Sequence, residues 1–166
     1  MEKVHKIILG VLAAVLAVLV GLTAYVALTM GPAADPGFTP PPFDPDAQKG
    51  APAEPDKALI YTELAIREGF VVSLCGSPVV DDSGRATVYF TAHPDNTLWV
   101  RLLVQTEDGV DLGATGLLRP GEYVEAVQLS KAPADGTTLV FKILSYQPET
   151  YYSEGSAKAQ VIARHP

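Results

Sequence analysis

Tyrosine residues form the most distinctive cluster of side chains in this sequence. Tyr146, Tyr151 and Tyr152 flank the stretch Gln147-Pro148-Glu149-Thr150, whose composition is typical of a loop. A tyrosine side chain combines a rigid ring with one polar tip, and connecting loops often carry recognition. Tyr146, Glu149, Tyr151 and Tyr152 are therefore the candidate partner-binding residues. The alternative is that Tyr151 and Tyr152 pack under their own loop.

Trp99 and Arg101 define a second candidate face. They alternate with Val100 and Leu102, so in a strand they lie on the opposite side from those two aliphatic residues. For Trp99, the single tryptophan of the chain, we expect burial in the core of the fold. The alternative is a contact surface made by Trp99 and Arg101.

Few side chains have the spacing that catalysis or metal binding needs. The three histidines, His5, His93 and His165, are far apart and do not form a ligand set. Cys75 lies in an apolar run and is expected to be a buried small hydrophobe. The turn at residues 81–84 lacks the alternating acids and closing glutamate of a calcium loop. We therefore predict no catalytic residue, metal site or cofactor, and a protein that is not an enzyme.

Composition narrows the possible partners. The net charge is −7, and the basic residues form no cluster or stripe. Nucleic-acid binding requires clustered Lys and Arg, so we predict no nucleic-acid partner. A single cysteine excludes an internal disulfide, so the folded part must be stabilised by its apolar core.

The N-terminal apolar run predicts a membrane anchor. Residues 7–30 carry no charge, and a helix over them would rise about 36 Å, enough to cross a bilayer core of about 30 Å. The run is too long for a typical signal peptide. Lys3 and Lys6 precede it, whereas the next basic residue is Lys49, so residues 1–6 are predicted to be a cytoplasmic tail. The rest of the chain is predicted to be extracytoplasmic, on a cell membrane crossed once.

A proline-rich segment follows the anchor. Eight of the 14 prolines lie in residues 31–57. Proline removes backbone donors, so this composition predicts an extended spacer without helix or sheet. The alternative is that Thr39-Pro40-Pro41-Pro42-Phe43 is a docking motif for the aromatic groove of a partner.

Residues 58–166 show the two-residue period of β-strands. Seven or eight short alternating segments are separated by turn signals, among them Glu107-Asp108-Gly109 and Arg119-Pro120-Gly121-Glu122. The fold class is predicted to be all-β, an antiparallel β-sandwich of immunoglobulin-like or fibronectin type III-like architecture, preceded by one transmembrane helix. Segment 58–67 is the least regular, and a short helix there is the alternative.

Four stretches carry a family resemblance: residues 73–76, 88–91, 116–125 and 148–153. Together they resemble small membrane-anchored extracytoplasmic β-sandwich proteins of gut Clostridia, linked to conjugative mobile elements. Such chains sometimes carry the name tRNA uracil methyltransferase. The residues here oppose that activity, because they contain no glycine-rich turn between a strand and a helix and no basic face for tRNA.

These patterns lead to two functional hypotheses. The first is a non-enzymatic surface domain that acts as a protein-interaction or structural subunit of an envelope assembly. The second is a carbohydrate- or peptidoglycan-binding module displayed on a spacer. Coplanar exposed rings on one face would favour the sugar, whereas a flat apolar patch would favour a protein partner.

Overall fold

The computed structural model describes residue 16, residues 39–53 and residues 55–166. The predicted cytoplasmic tail and residues 31–38 of the predicted spacer lie outside these residues, as does the predicted membrane helix apart from Leu16. Within the described residues, no helix is long and apolar enough to cross a membrane. The chain divides into two units, Met1–Thr39 and Pro40–Pro166, and the second is the folded body.

Nine strands and one 3₁₀ turn make up the described body. The strands are β1 Gln48–Lys49, β2 Tyr61–Arg67, β3 Phe70–Cys75, β4 Arg85–Ala92, β5 Trp99–Gln105, β6 Asp111–Ala114, β7 Glu122–Gln128, β8 Thr138–Tyr146 and β9 Ser153–Ile162. One sheet has the order β1-β7-β4-β3-β2 and the other has the order β6-β5-β8-β9. All neighbouring strands are antiparallel, so the predicted all-β class with two antiparallel sheets is confirmed.

The core lies between the two sheets and follows the alternation of the strands. In β5 the buried apolar residues are Val100, Leu102 and Val104, and in β8 Phe141 and Ile143 are fully buried. The first sheet contributes its own inward-facing residues, including Phe70, Val72, Val88 and Phe90. Burying a side chain of this size stabilises a fold by about 1.5–3 kcal/mol, so this layer holds the two sheets together.

Two predicted turns have the expected backbone geometry. Gly121 has a φ of 75°, and the Glu122 amide donates to the Arg119 carbonyl at 3.1 Å. This is the type II turn that Pro120-Gly121 predicts, because position three of such a turn requires a left-handed residue. Gly109 has a φ of 85° in the β5–β6 hairpin, as predicted.

The folded body begins earlier than the predicted boundary at residue 58. Residues 40–53 belong to it, and β1 pairs with β7 through Gln48 and Lys49. A 3₁₀ turn at Lys57–Leu59 precedes β2. Proline removes donors but keeps its carbonyl acceptor, so the Pro42 oxygen accepts a hydrogen bond from the Leu117 amide at 2.9 Å. A proline-rich composition therefore did not prevent this segment from joining the sheet.

Candidate interaction site

Three aromatic rings from distant parts of the chain meet on the outer face of the second sheet. The centroids of Phe43 and Trp99 lie 4.8 Å apart, and those of Trp99 and Tyr151 lie 5.2 Å apart. The interplanar angles are 74° and 65°, so both pairs pack edge to face. Edge-to-face packing suits the ring quadrupoles and fixes the rings relative to one another. We call Phe43, Trp99 and Tyr151 the aromatic row.

The strands place Trp99 at the centre of this row. Trp99 begins β5 and is in register with Tyr146, the last residue of β8. The next residue, Val100, points into the core, so the tryptophan faces outwards and is half-buried. The expectation that Trp99 lies in the core was wrong. Its ring is covered by Phe43, which comes from the segment predicted to be a spacer.

The tyrosine loop, residues 147–152, is a β8–β9 hairpin loop with a strained backbone. The Gln147 amide donates to the Tyr152 carbonyl at 2.9 Å, and the Tyr151 amide donates to the Gln147 carbonyl at 3.0 Å. Glu149 and Tyr151 have φ values of 69° and 58°. This left-handed region costs a residue other than glycine about 1–2 kcal/mol. The loop therefore holds two side chains in positions that glycine would occupy more easily.

The two tyrosines of the loop have different surroundings. Tyr151 packs edge to face on Trp99 of β5, a contact outside its own loop. Tyr152 is 75% exposed, the largest exposed fraction among the big apolar side chains of the described residues. Glu149 is exposed, whereas Tyr146 is half-buried. The loop thus presents Tyr152 and Glu149 to solvent beside an anchored Tyr151.

A polar clamp holds the start of β9 beneath the loop. The Gln147 side-chain amide donates to the Glu154 carboxylate at 2.8 Å. The Arg67 guanidinium donates to the Glu154 carbonyl at 2.8 Å and lies 3.3 Å from its carboxylate. The hydrogen bond from Gln147, followed by that from Arg67, lowers the pKa of Glu154. These contacts therefore favour the charged form of the carboxylate.

Phe43 also contacts Arg119. The guanidinium carbon of Arg119 lies 3.5 Å from the centroid of the Phe43 ring, a cation–π geometry. Glu122 accepts a hydrogen bond from the Arg119 amide at 2.8 Å, and its carboxylate lies 3.5 Å from the guanidinium. The aromatic row therefore continues into an Arg119–Glu122 pair at the corner before β7.

Arg101 has a structural role in the described fold. Its Nε donates to the Thr115 carbonyl at 2.8 Å, which ties β5 to the strand segment beside it. The Thr115 hydroxyl accepts a hydrogen bond from the Leu102 amide at 3.0 Å. Arg101 thus lies on the same face as Trp99, but its guanidinium is occupied by the fold.

The two candidate faces of the sequence prediction are one surface. Trp99 and Tyr146 are cross-strand neighbours, and Tyr151 contacts Trp99. Sequence reasoning missed Phe43 and Arg119 as members of this surface. The signal for Phe43 was present, because the docking-motif hypothesis for residues 39–43 already placed it in an aromatic groove. The groove belongs to the same chain.

The other reactive side chains are used within the fold. The Oδ1 atom of Asp81 accepts hydrogen bonds from Ser83 N, Ser83 Oγ and Arg85 N, and these bonds lower the pKa of Asp81. His93 accepts a hydrogen bond from the Asp95 amide at 3.2 Å. Cys75 is buried as predicted, and burial raises the pKa of its thiol to about 11. Among the described residues, no three His, Cys, Asp or Glu side chains are grouped as metal ligands.

These observations define a class, a two-sheet antiparallel β protein with an aromatic row on the outside of one sheet. No protein-family model matches the chain, and no curated protein matches it.

Proposed function

We propose that this protein is a non-enzymatic, single-pass membrane protein whose body is a subunit of an extracytoplasmic envelope assembly. Residues 7–30 form the anchor and the N-terminus is cytoplasmic. The body binds a protein partner through the tyrosine loop and the neighbouring ring of Trp99. The observation that carries this proposal is the strained loop that presents Tyr152 to solvent.

Strain in the loop supports a binding role. In the β8–β9 hairpin, Glu149 and Tyr151 adopt the left-handed conformation although neither is glycine. Such residues persist when the surrounding structure forces them, and they are concentrated at binding and catalytic sites. Tyr151 is held in place by the Trp99 ring, so the neighbouring Tyr152 is presented on a rigid base. A preordered aromatic side chain loses little entropy on binding, which favours affinity.

The strand order supports a finer description of the fold. We infer a fibronectin type III-like sandwich, in which the central strands β3, β4 and β7 face the sheet β6-β5-β8-β9. In this comparison β5 corresponds to the third strand, C, of an immunoglobulin constant domain. The next strand of such a domain, D, lies in the sheet opposite C. Here the corresponding strand, β6, pairs with β5 itself. Strands β1 and β2 then extend the other sheet at its two edges.

Ring geometry favours a protein partner over a sugar. A sugar-binding platform needs aromatic faces that are open and nearly coplanar, whereas the row has interplanar angles of 74° and 65°. In each edge-to-face pair the edge of one ring lies against the face of the other, so the three rings do not form a flat open platform. The carbohydrate- or peptidoglycan-binding module stays the alternative, with Tyr152 as its stacking residue.

Site-specific photocrosslinking on intact cells tests the proposal. A photoreactive residue replaces Tyr152, and the matched control carries it at Val110, which is also exposed but lies on the β5–β6 hairpin. We expect position 152 to capture one envelope protein that position 110 does not capture. Glycan alone at position 152 would favour the carbohydrate module. Equal capture from both positions, or none from either, would contradict a binding role for the loop.

Substitution of the two tyrosines provides an independent test. Changing Tyr151 and Tyr152 to Ala together should reduce partner capture at least tenfold, which corresponds to about 1.4 kcal/mol. The melting temperature should change by only a few degrees, because both side chains lie outside the core. The control is Ile162→Ala, which removes an exposed apolar side chain at the far end of β9 and should leave capture intact.

A further inference from the structure

The middle of the outer edge of β9 has no neighbouring strand within the described body. Strand β9 lies at the end of its sheet and pairs only with β8. The Ala163 amide donates to the Thr137 carbonyl beside β8 at 2.9 Å, whereas the Ile162 amide points the other way. Alternate residues of an antiparallel edge strand direct their backbone groups towards the neighbouring strand and away from it. The residues whose backbone groups face the open edge are therefore Ser156, Lys158 and Gln160.

Both ends of this edge are occupied by hydrogen bonds to the other sheet. At one end, the Arg67 guanidinium of β2 donates to the Glu154 carbonyl at 2.8 Å. At the other end, the Ile162 amide donates to the Gly76 carbonyl, just after β3, at 3.4 Å. We call the stretch between these ends, residues 156–160, the edge window. The fold therefore closes the edge of β9 at both ends and leaves the edge window open to an extended chain.

Two lysine side chains face each other beside the edge window. Lys158 of β9 is in register with Lys142 of β8. The residues before and after Lys142, Phe141 and Ile143, are fully buried, so both lysine side chains lie on the outer face of the sheet. The backbone groups of Lys158 point away from β8, so the two lysines form a non-hydrogen-bonded pair, in which side chains approach more closely. Like charges directly opposite each other destabilise a sheet.

The charges of this lysine pair are not neutralised by the described residues. Neither Lys142 nor Lys158 forms an ion pair or a side-chain hydrogen bond with them. Glu107 and Lys158 line the same cavity of about 520 Å³ without pairing. A lysine on an edge strand often prevents unwanted strand pairing, which would account for Lys158 alone. Lys142 lies on β8, between β5 and β9, so edge protection does not account for it.

We propose that the edge window binds an extended, acidic segment of another protein by strand addition. The backbone of that segment pairs with the open edge of β9, and an acidic side chain directly opposite Lys158 lies on the outer face. Neighbouring strands are about 5 Å apart, so Lys142 lies about 10 Å from the added strand, within reach of long side chains. An acid at this place replaces the repulsion between the two lysines by ion pairs.

The overall charge of the chain makes this preference selective. The net charge is −7, so the long-range field of the protein disfavours an acidic segment over most of the surface. The facing Lys142 and Lys158 reverse the sign of the charge locally, beside unpaired backbone groups. This inference goes beyond the proposed function and does not depend on partner binding by Tyr152.

Amide hydrogen exchange in the full chain, held in a nonionic detergent, tests whether the edge is open. In the free protein, the three amides that face the open edge should exchange faster than those of Ala157 and Ala159, which face β8. Equal protection of the two sets would show that the edge is already covered and would overturn the proposal.

Two synthetic peptides then serve as probes of the edge window. Thr-Val-Glu-Val-Glu-Val-Thr places two glutamates on one face of a strand, and Thr-Val-Gln-Val-Gln-Val-Thr is the matched peptide without charge. The acidic peptide should protect the three edge amides and bind about fivefold more tightly than the neutral one. Equal affinities, or no protection by either peptide, would overturn the proposal. Shifts of the lysine side-chain signals without amide protection would mean that the lysines bind an anion alone, and would equally overturn strand addition.

Substitution of the lysines separates binding from folding. Lys142→Gln and Lys158→Gln should each weaken binding of the acidic peptide about two- to fivefold. The melting temperature should not fall in either variant, because a repulsion is removed. The control Lys57→Gln removes a charge from the 3₁₀ turn before β2 and should leave binding intact. Unchanged affinity in both lysine variants would overturn the proposal. Crosslinking through Tyr152 is measured separately, so failure of this inference is distinguishable from failure of the proposed function.

Discussion

The β3–β4 loop and the tyrosine loop form reversals of the chain in opposite ways. In the first, Gly84 has a φ of 81°, and the Asp81 carboxylate accepts three hydrogen bonds, two from Ser83 and one from Arg85. In the second, the left-handed positions are Glu149 and Tyr151, and the loop contains no glycine. The first loop has glycine at its left-handed position, so its backbone is not strained there. The second loop has other residues at its left-handed positions, and glycine would remove that strain.

This difference indicates what each loop is for. A loop that only reverses the chain can use glycine and an aspartate, since neither needs to reach beyond the loop. The tyrosine loop instead retains side chains at its strained positions, and one of them packs on Trp99. Strain at a position that contacts a surface aromatic residue is typical of sites where function opposes stability.

The largest expected effect comes from adding a side chain to the β3–β4 loop. Gly84→Ala should destabilise the body by about 2 kcal/mol, because the left-handed backbone disfavours alanine and the new Cβ would lie 3.1 Å from the Leu129 carbonyl. Urea denaturation gives the free energy of unfolding. Gly136→Ala is the control, with a φ of 76° and nothing near its Cβ, so it should cost less. Equal losses would mean that the contact with Leu129 is unimportant.

The opposite change in the tyrosine loop should stabilise the protein. Glu149→Gly removes the cost of a left-handed glutamate and should raise the free energy of unfolding by about 1 kcal/mol, reduced by the extra freedom that glycine gives the unfolded chain. Crosslinking through Tyr152 should weaken at the same time, because Glu149 is a candidate contact. A variant that is less stable than the original chain would show that the loop is not strained at this position.

Removal of the Asp81 carboxylate should destabilise the β3–β4 loop, with a smaller effect on stability than the two glycine changes. Asp81→Ala deletes the acceptor of three hydrogen bonds, so the melting temperature should fall by a few degrees. Asp81→Asn is the matched variant, because its side-chain oxygen keeps an acceptor without the charge. Partner capture should be unchanged in both. Loss of capture would show that the β3–β4 loop also contributes to binding.

The smallest expected effect is a pH dependence of the clamp below the tyrosine loop. Because hydrogen bonds from Gln147 and Arg67 lower the pKa of Glu154, the charged carboxylate stabilises the folded state above the ordinary glutamate pKa of about 4.3. That contribution is lost as the pH falls through the lowered pKa. The melting temperature of the protein should therefore fall more steeply in acid than that of Glu154→Gln. Parallel pH profiles would contradict the role of the clamp.

Local patterns were sufficient to predict much of the fold. Alternation in β5 predicted that Val100 and Leu102 share one face, and both are buried. Pro120-Gly121 predicted its turn, because proline sets φ and glycine permits the left-handed position. The start of the folded body was predicted too late in the chain. A count of prolines shows which backbone donors are missing, but it does not show that the Pro42 carbonyl accepts a hydrogen bond from the body.

The candidate site was predicted only in pieces. Tyr146, Glu149, Tyr151, Tyr152 and Trp99 were all named from the sequence, but as two separate faces. Contact between Trp99 and Tyr151 depends on the register of β5 with β8, and the contact with Phe43 depends on a segment 56 positions earlier in the chain. Neither follows from residue types or spacing, because the partner of an outward-facing ring is set by how distant segments fold together.

The sequence by itself determined the all-β class, the inward-facing residues of the strands and the positions of the glycine turns, because these depend on side-chain alternation and on local backbone freedom. Only the tertiary structure decided that Phe43 covers Trp99 and that Gly116 must lack a side chain. It also decided that Glu149 and Tyr151 adopt left-handed backbones. Those outcomes arise from long-range packing, in which contacts between distant residues outweigh the local preference of each one.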